Sequence, residues 1–191
     1  MYESPEVATQ VTDDSDGPPR ALIIAAALLG VTAIGVILVI AANREAPPQP
    51  VALPGVPAPQ AAAPACKSLT ATLPQRLGTY QRAPLAQPAP EGAAAWRAGP
   101  DSEPVVLRCG LDRPRDFVVG SPIQVVDRVQ WFRVNAQSER DAGRSTWYAV
   151  DRPVYVALTL PAGSGPAPIQ ELSDLIDRTV GAVPIDPAPP R

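Results

Sequence analysis

The sequence predicts an α+β domain, a small antiparallel sheet packed by two helices, preceded by a single transmembrane helix and a Pro/Ala-rich linker. Three features carry this reading. Residues 21–42, ALIIAAALLGVTAIGVILVIAA, hold no charge; residues 46–65 hold seven prolines and no charge. Beyond residue 66, β-branched and aromatic runs alternate with turn residues and are flanked at each end by a helical stripe.

Residues 1–20 hold five acids against Arg20 and read as a disordered acidic cytosolic tail. The run over 21–42 amounts to ~33 Å of helix against a hydrocarbon core of ~30 Å. A cleaved signal peptide has a basic leader and a shorter apolar core, which favours an uncleaved anchor, although Val39 and Ala41, or Ile40 and Ala42, loosely imitate a cleavage site and keep cleavage as the alternative. A lipoprotein needs a cysteine directly after the run, whereas Cys66 lies 24 residues beyond Ala42. Arg20 and Arg44 flank the run evenly, so basic charge does not orient it. The short N-terminus and the two cysteines of the C-terminal part place the N-terminus in the cytosol and the domain outside the cell membrane, in an oxidising compartment. With the opposite topology both cysteines stay reduced.

Residues 43–65 read as a semi-rigid extended spacer of up to ~60 Å that forms neither ladder nor core. The domain is expected over 66–183, with 184–191 a disordered tail. Leu69, Leu73 and Leu77 recur at helical spacing. They predict a helix over 67–72, with Pro74 opening a further turn that ends at Gly78. Strands are predicted over 79–82, 93–97 and 105–110, then over 129–134, 145–150 and 154–160 as a meander. A last helix over 168–180 buries Ile169, Leu172, Ile176 and Val180. The expected sheet has four to six strands, with both helices on one face.

Charge and composition narrow the function. Residues 66–191 hold 14 bases and 13 acids, which lacks the basic footprint of a nucleic-acid binder. No histidine occurs, which excludes Ser-His-Asp and Cys-His nucleophiles and His-containing zinc sites; no cofactor or metal is expected. Lys67 is the only lysine among abundant arginine, alanine and proline, a bias that points to a GC-rich genome such as an actinobacterium's. Cys66 and Cys109 are the only cysteines. In the outside topology they read as a structural disulfide worth ~4 kcal/mol in the chain-entropy model. Neither a Cys-x-x-Cys pair nor a basic pocket suggests redox catalysis.

Several motifs carry a resemblance. Cys66-x-x-Leu69-x-x-x-Leu73-Pro74-x-x-Leu77-Gly78, Ala93-Ala94-Ala95-Trp96, the run Pro104-Val105-Val106-Leu107-Arg108-Cys109-Gly110 with Pro114 beyond, and Val129-x-Trp131-Phe132 are together similar to the DUF3515 family of uncharacterised actinobacterial membrane-anchored proteins. The resemblance spans most of 66–180. In that family glycine follows the tryptophan, where this chain has Arg97-Ala98-Gly99-Pro100. The resemblance implies an envelope location and a disulfide, and no known activity.

Trp96, Arg97, Arg108 and Arg113 form the candidate binding surface, since arginine beside an aromatic cradles carboxylate or phosphate by forked hydrogen bonds and stacking. The plainer reading makes Trp96 a core residue and pairs Arg108 with an acid such as Asp112. Asp112, Asp116 and Asp127 are candidates for paired catalytic carboxylates, or for surface ion pairs with Arg113, Arg115 and Arg128. Trp131-Phe132 and Trp147-Tyr148 place adjacent aromatics on opposite faces of two strands, as a contact surface or as packing against a second layer. The function expected is a non-catalytic binding or interaction module of the cell envelope, with an envelope protein or cell-wall partner. The alternatives are a carboxylate-dependent envelope hydrolase or transferase and a structural subunit of a membrane complex.

Overall fold

The computed structural model describes residues 20–42, 49–134 and 143–190, without the side chains of 20–22 and 40–42. The chain divides into two units, residues 1–47 and 48–191. The first contains helix α1, Arg20–Ala42. Its described side chains are exposed, and Thr32 donates its hydroxyl to the carbonyls of Leu28 and Leu29. Among the described residues no helix is long and apolar enough to cross a membrane. The acidic tail lies outside the described residues.

The second unit is α+β. Its elements are α2 (Pro64–Thr72), β1 (Arg76–Leu77), β2 (Tyr80–Ala83), β3 (Ala93–Arg97), β4 (Val105–Leu111), β5 (Ile123–Val126), β6 (Val129–Val134), β7 (Ser145–Ala149), β8 (Tyr155–Leu160) and α3 (Ala167–Thr179). The strands form one antiparallel sheet in the order β1-β2-β3-β4-β8-β7-β6-β5. Two four-stranded meanders therefore meet at β4 and β8, each running inward from its own edge. The chain leaves β4 at the centre and re-enters at the far edge, so the segment between must cross the sheet.

The sheet has eight strands rather than four to six because β1 and β5 are two short edge strands. The first helix starts at Pro64, a residue suited to a first helical position because it lacks the N–H that has no partner there. The helical turn expected over 74–78 is instead a hairpin pairing Leu77 with Tyr80. Pro74 holds Leu73 in extended geometry, ψ 132°. Leu69 and Leu77 are fully buried and Leu73 nearly so, one at each stage of this helix-to-strand passage.

One face of the sheet carries α2 and α3. Trp96, Trp131, Leu107 and Leu158 meet Leu69, Leu172 and Ile176 in the main core. Both buried indoles are satisfied: Trp96 Nε1 donates to the carbonyl of Pro74 and Trp131 Nε1 to Ser173 Oγ, each at 2.9 Å. The Cys66–Cys109 disulfide joins α2 to β4, with Cα atoms 5.6 Å apart. At the C-terminal end of α3, Arg152 is buried against Asp151 (2.9 Å) and Asp177 (3.3 Å), and Asp177 also takes Arg128 at 3.0 Å.

The opposite face is covered by chain without regular structure. Phe117, on the β4–β5 crossing, stacks on Phe132 with ring centroids 5.3 Å apart. Residues 184–190, expected as a disordered tail, dock beside it through the paired backbones of Phe117, Val119 and Ala188. The proline-rich stretch is likewise no free spacer from Val51 onward. Val51 is 2% exposed, packs on Ala83 and Ala95, and bonds to the backbone of Pro84 and Ala86. Prolines lose their own donors only. Valine and glutamine between them still pair, and small alanines on the facing strands leave the room.

Gly110 shows how closely this strap lies. It is the extra residue of a bulge in β4, with φ +84°, and an added Cβ would sit 2.3 Å from the backbone of Gln60 and Ala61. At Gly120, φ +89°, a Cβ meets nothing. Gly110→Ala is therefore expected to cost upwards of about 3 kcal/mol and Gly120→Ala only about 1 kcal/mol of backbone strain. Chemical denaturation of the full chain followed by tryptophan fluorescence checks this; equal costs would mean the strap is not held against the sheet.

Candidate functional site

Strand alternation divides the four candidate residues. Neighbours on a strand point to opposite faces, so Trp96 lies in the helix-side core while Arg97 is on the other face. On the Trp96 side it is Arg82, its partner in the register, that stacks over the ring at 4.7 Å, not Arg97. Arg113 is remote from both; it pairs with the Asp186 carboxylate at 2.9 Å and the Asp186 carbonyl at 3.1 Å, holding the C-terminal segment.

Arg97 and Arg108 are brought together. Register places one row of residues straight across the second face, Ala83-Ala95-Val106-Thr159-Thr146-Val134. The adjacent row is Ala93-Arg108-Ala157-Tyr148-Phe132-Ile123. In the first row Ala83 and Ala95 lie beneath Val51, while Val106, Thr159, Thr146 and Val134 floor a groove of about 570 Å³. The strap forms its wall through Val51, Leu53, Pro54 and Val56, and Arg97, Arg108 and Arg144 line it. Among the described residues no acidic residue lines it.

The two arginines are held differently. Arg108 donates to the Pro54 carbonyl at 3.0 Å, tying strap to sheet, while Arg97 donates to the Pro100 carbonyl at 3.1 Å and leaves a buried Nε without a partner among the described residues. Neither makes an ion pair among the described residues, whereas Arg144 forks onto Glu103 at 2.8 and 3.1 Å. Burial lowers the Arg108 pKa, and the small Ala157 between them lets it interact with Tyr148. On the floor the hydroxyls of Thr146 and Thr159 share a hydrogen bond of 3.0 Å.

The groove can therefore do two things chemically: present forked donors to an anion and offer beside them the apolar side chains of Val51, Leu53 and Val56 on the wall and Val106 and Val134 on the floor. Asp112, Asp116 and Asp127 are exposed, and none lines it. Asp127 instead takes φ 52° in the two-residue turn between β5 and β6, the conformation that primed hairpin turns need. Of the aromatic pairs, Trp131 and Trp147 face the helices and Phe132 and Tyr148 the other layer. Sequence reasoning missed Arg144 and the two threonines. The alternation in β7 and β8 signals which residues share a face, but only the register unites them with Arg97 and Arg108.

Burial raises the Tyr148 pKa, an effect that the positive charge of Arg108 partly opposes. Burial likewise raises that of Tyr155. With folded values above the unfolded value near 10, their contribution is intact below about pH 10 and lost as pH rises through the folded values. Tyr148→Phe should make the alkaline fall in stability shallower; an unchanged slope in denaturant titrations across that range counts against a buried hydroxyl.

No curated protein and no solved structure matches this chain. One family model does, DUF3515, described as a protein of unknown function, and it matches residues 26–185. Most of α1, the strap, the disulfide and the whole sheet fall inside that match, and the chain belongs to the DUF3515 family.

Proposed function

We propose that the chain is a single-pass protein of the cell membrane, with its N-terminus cytosolic and the unit over 48–191 outside, and that this unit binds an envelope partner at the groove without catalysing a reaction. The anchor is supported by the sequence from 21 to 42, uncharged throughout and long enough for ~33 Å of helix at ~1.5 Å per residue. The bonding of Thr32 to its own helix suits hydrocarbon, where an unpaired hydroxyl is costly. The Cys66–Cys109 disulfide supports an oxidising compartment. Residues 43–48 of the expected linker lie outside the described residues, and from Val51 onward the linker is bound to the unit rather than free.

The observation that carries the binding reading is a groove lined by two half-buried guanidinium groups without carboxylate partners among the described residues. A structural arginine at such a place is normally paired.

Labelling intact cells with a membrane-impermeant maleimide should modify the cysteines only after reduction. Labelling without reductant, but only after lysis, places them reduced in the cytosol and overturns the topology. For the groove, a photoreactive residue at position 146 should capture an envelope partner in intact cells. Arg97→Glu with Arg108→Glu should reduce the yield about tenfold or more. Capture unaffected by both reversals moves the binding surface elsewhere.

A further inference from the structure

We infer that the groove binds the phosphate headgroup of an anionic lipid, with part of an acyl chain along its apolar side chains. This rests on the binding reading above and names its ligand. Two independent properties of the lining define the ligand. Arg97 and Arg108 bring positive charge that no lining carboxylate among the described residues neutralises. A guanidinium drawn out of water is costly to leave unpaired, and its planar fork matches phosphate. The buried Nε of Arg97 is one donor still without an acceptor among the described residues. Beside this charge, Val51, Leu53, Val56, Val106 and Val134 are apolar lining residues, and hydrated inorganic phosphate has no use for them. The ligand is therefore both anionic and apolar.

Other amphipathic occupants fit less well. No aromatic side chain among the described residues lines the groove, so it offers no stacking platform for nucleobases. The floor is a sheet face rather than an edge, so it offers no backbone row for a peptide strand. A volume of about 570 Å³ falls within the usual range of small-ligand sites, ~300–1,000 Å³, and suits a headgroup with part of one chain. The source follows from the chain itself. Val51, in the groove wall, is nine residues beyond Ala42, and in a membrane-anchored protein so short a tether makes lipids the amphipathic anions of highest local concentration.

The test uses the full chain with the photoreactive residue at position 146, reconstituted in nanodiscs of phosphatidylcholine with a minor fraction of phosphatidylglycerol. Adducts are identified by mass. Phosphatidylglycerol adducts should exceed their share of the lipid about tenfold, and Arg97→Gln with Arg108→Gln should abolish that excess, since each charge-assisted bond is worth about a tenfold change. Thermal midpoints of the double variant and of Arg97→Gln alone, which leaves the Arg108 bond to the strap intact, show that the fold survives. Adducts in simple proportion to composition, or an excess that persists in the folded double variant, overturn the inference. If hexyl phosphate protects position 146 while phosphatidylglycerol gives no excess, the ligand is a soluble anion and the lipid assignment falls. Capture of a protein but no lipid in envelope membranes also defeats the lipid assignment while leaving the binding reading standing; capture of neither defeats both.

Discussion

Strand β4 is buried on both faces, and this constraint organises the folded unit. Val105, Leu107 and Cys109 lie against the helices, while Val106 faces the other way with Arg108 and Gly110. A strand of this kind needs cover on two sides, yet the described residues of the unit form only two helices, and both lie on one side. The second cover is improvised from three irregular segments: the strap, the β4–β5 crossing and the C-terminal residues. Irregular cover cannot satisfy its polar groups in a ladder, so it does so singly, through the backbone of Val51, Gln60 and Ala188 and the guanidinium groups of Arg108 and Arg113.

That asymmetry separates stability from binding. The helix side is sealed, cross-linked by the disulfide and fully hydrogen-bonded at both buried tryptophans. Arg152, with a side chain 0% exposed, ties the end of α3 to the sheet through Asp177. On the other side the strap covers only part of the sheet, and the groove lies beside it over Val106, Thr159, Thr146 and Val134. Its floor is backbone held in a ladder on both sides, a rigid base for side chains that contact a ligand.

Much of this was legible in the sequence where the pattern is local. Strands β3 and β6 have the expected limits and α3 is displaced by a single residue, because alternation and the amphipathic stripe are properties of a short window. Edge strands β1 and β5, two and four residues long, give alternation too little length to register. The strap was illegible for a different reason. Its proline content correctly implies extended chain, but whether extended chain is free or bound depends on Ala83 and Ala95 being small and adjacent, which only strand register decides. The same limit governed the site. Trp96 and Arg97 are neighbours in sequence and opposites in space, whereas Arg97 and Arg108 are joined only by the pairing of β3 with β4.

The way the strap is fastened also has a mechanical side. Among the described residues Val51 is the first held by the folded unit, through two backbone hydrogen bonds flanking Leu85. Any pull on the chain N-terminal to it loads those two bonds first, then the Arg108–Pro54 bond, and reaches the disulfide-linked core only after the strap has peeled. Force would thus open the groove wall while the α2–α3 side stays intact, making the strap a mechanical fuse that yields before the fold does.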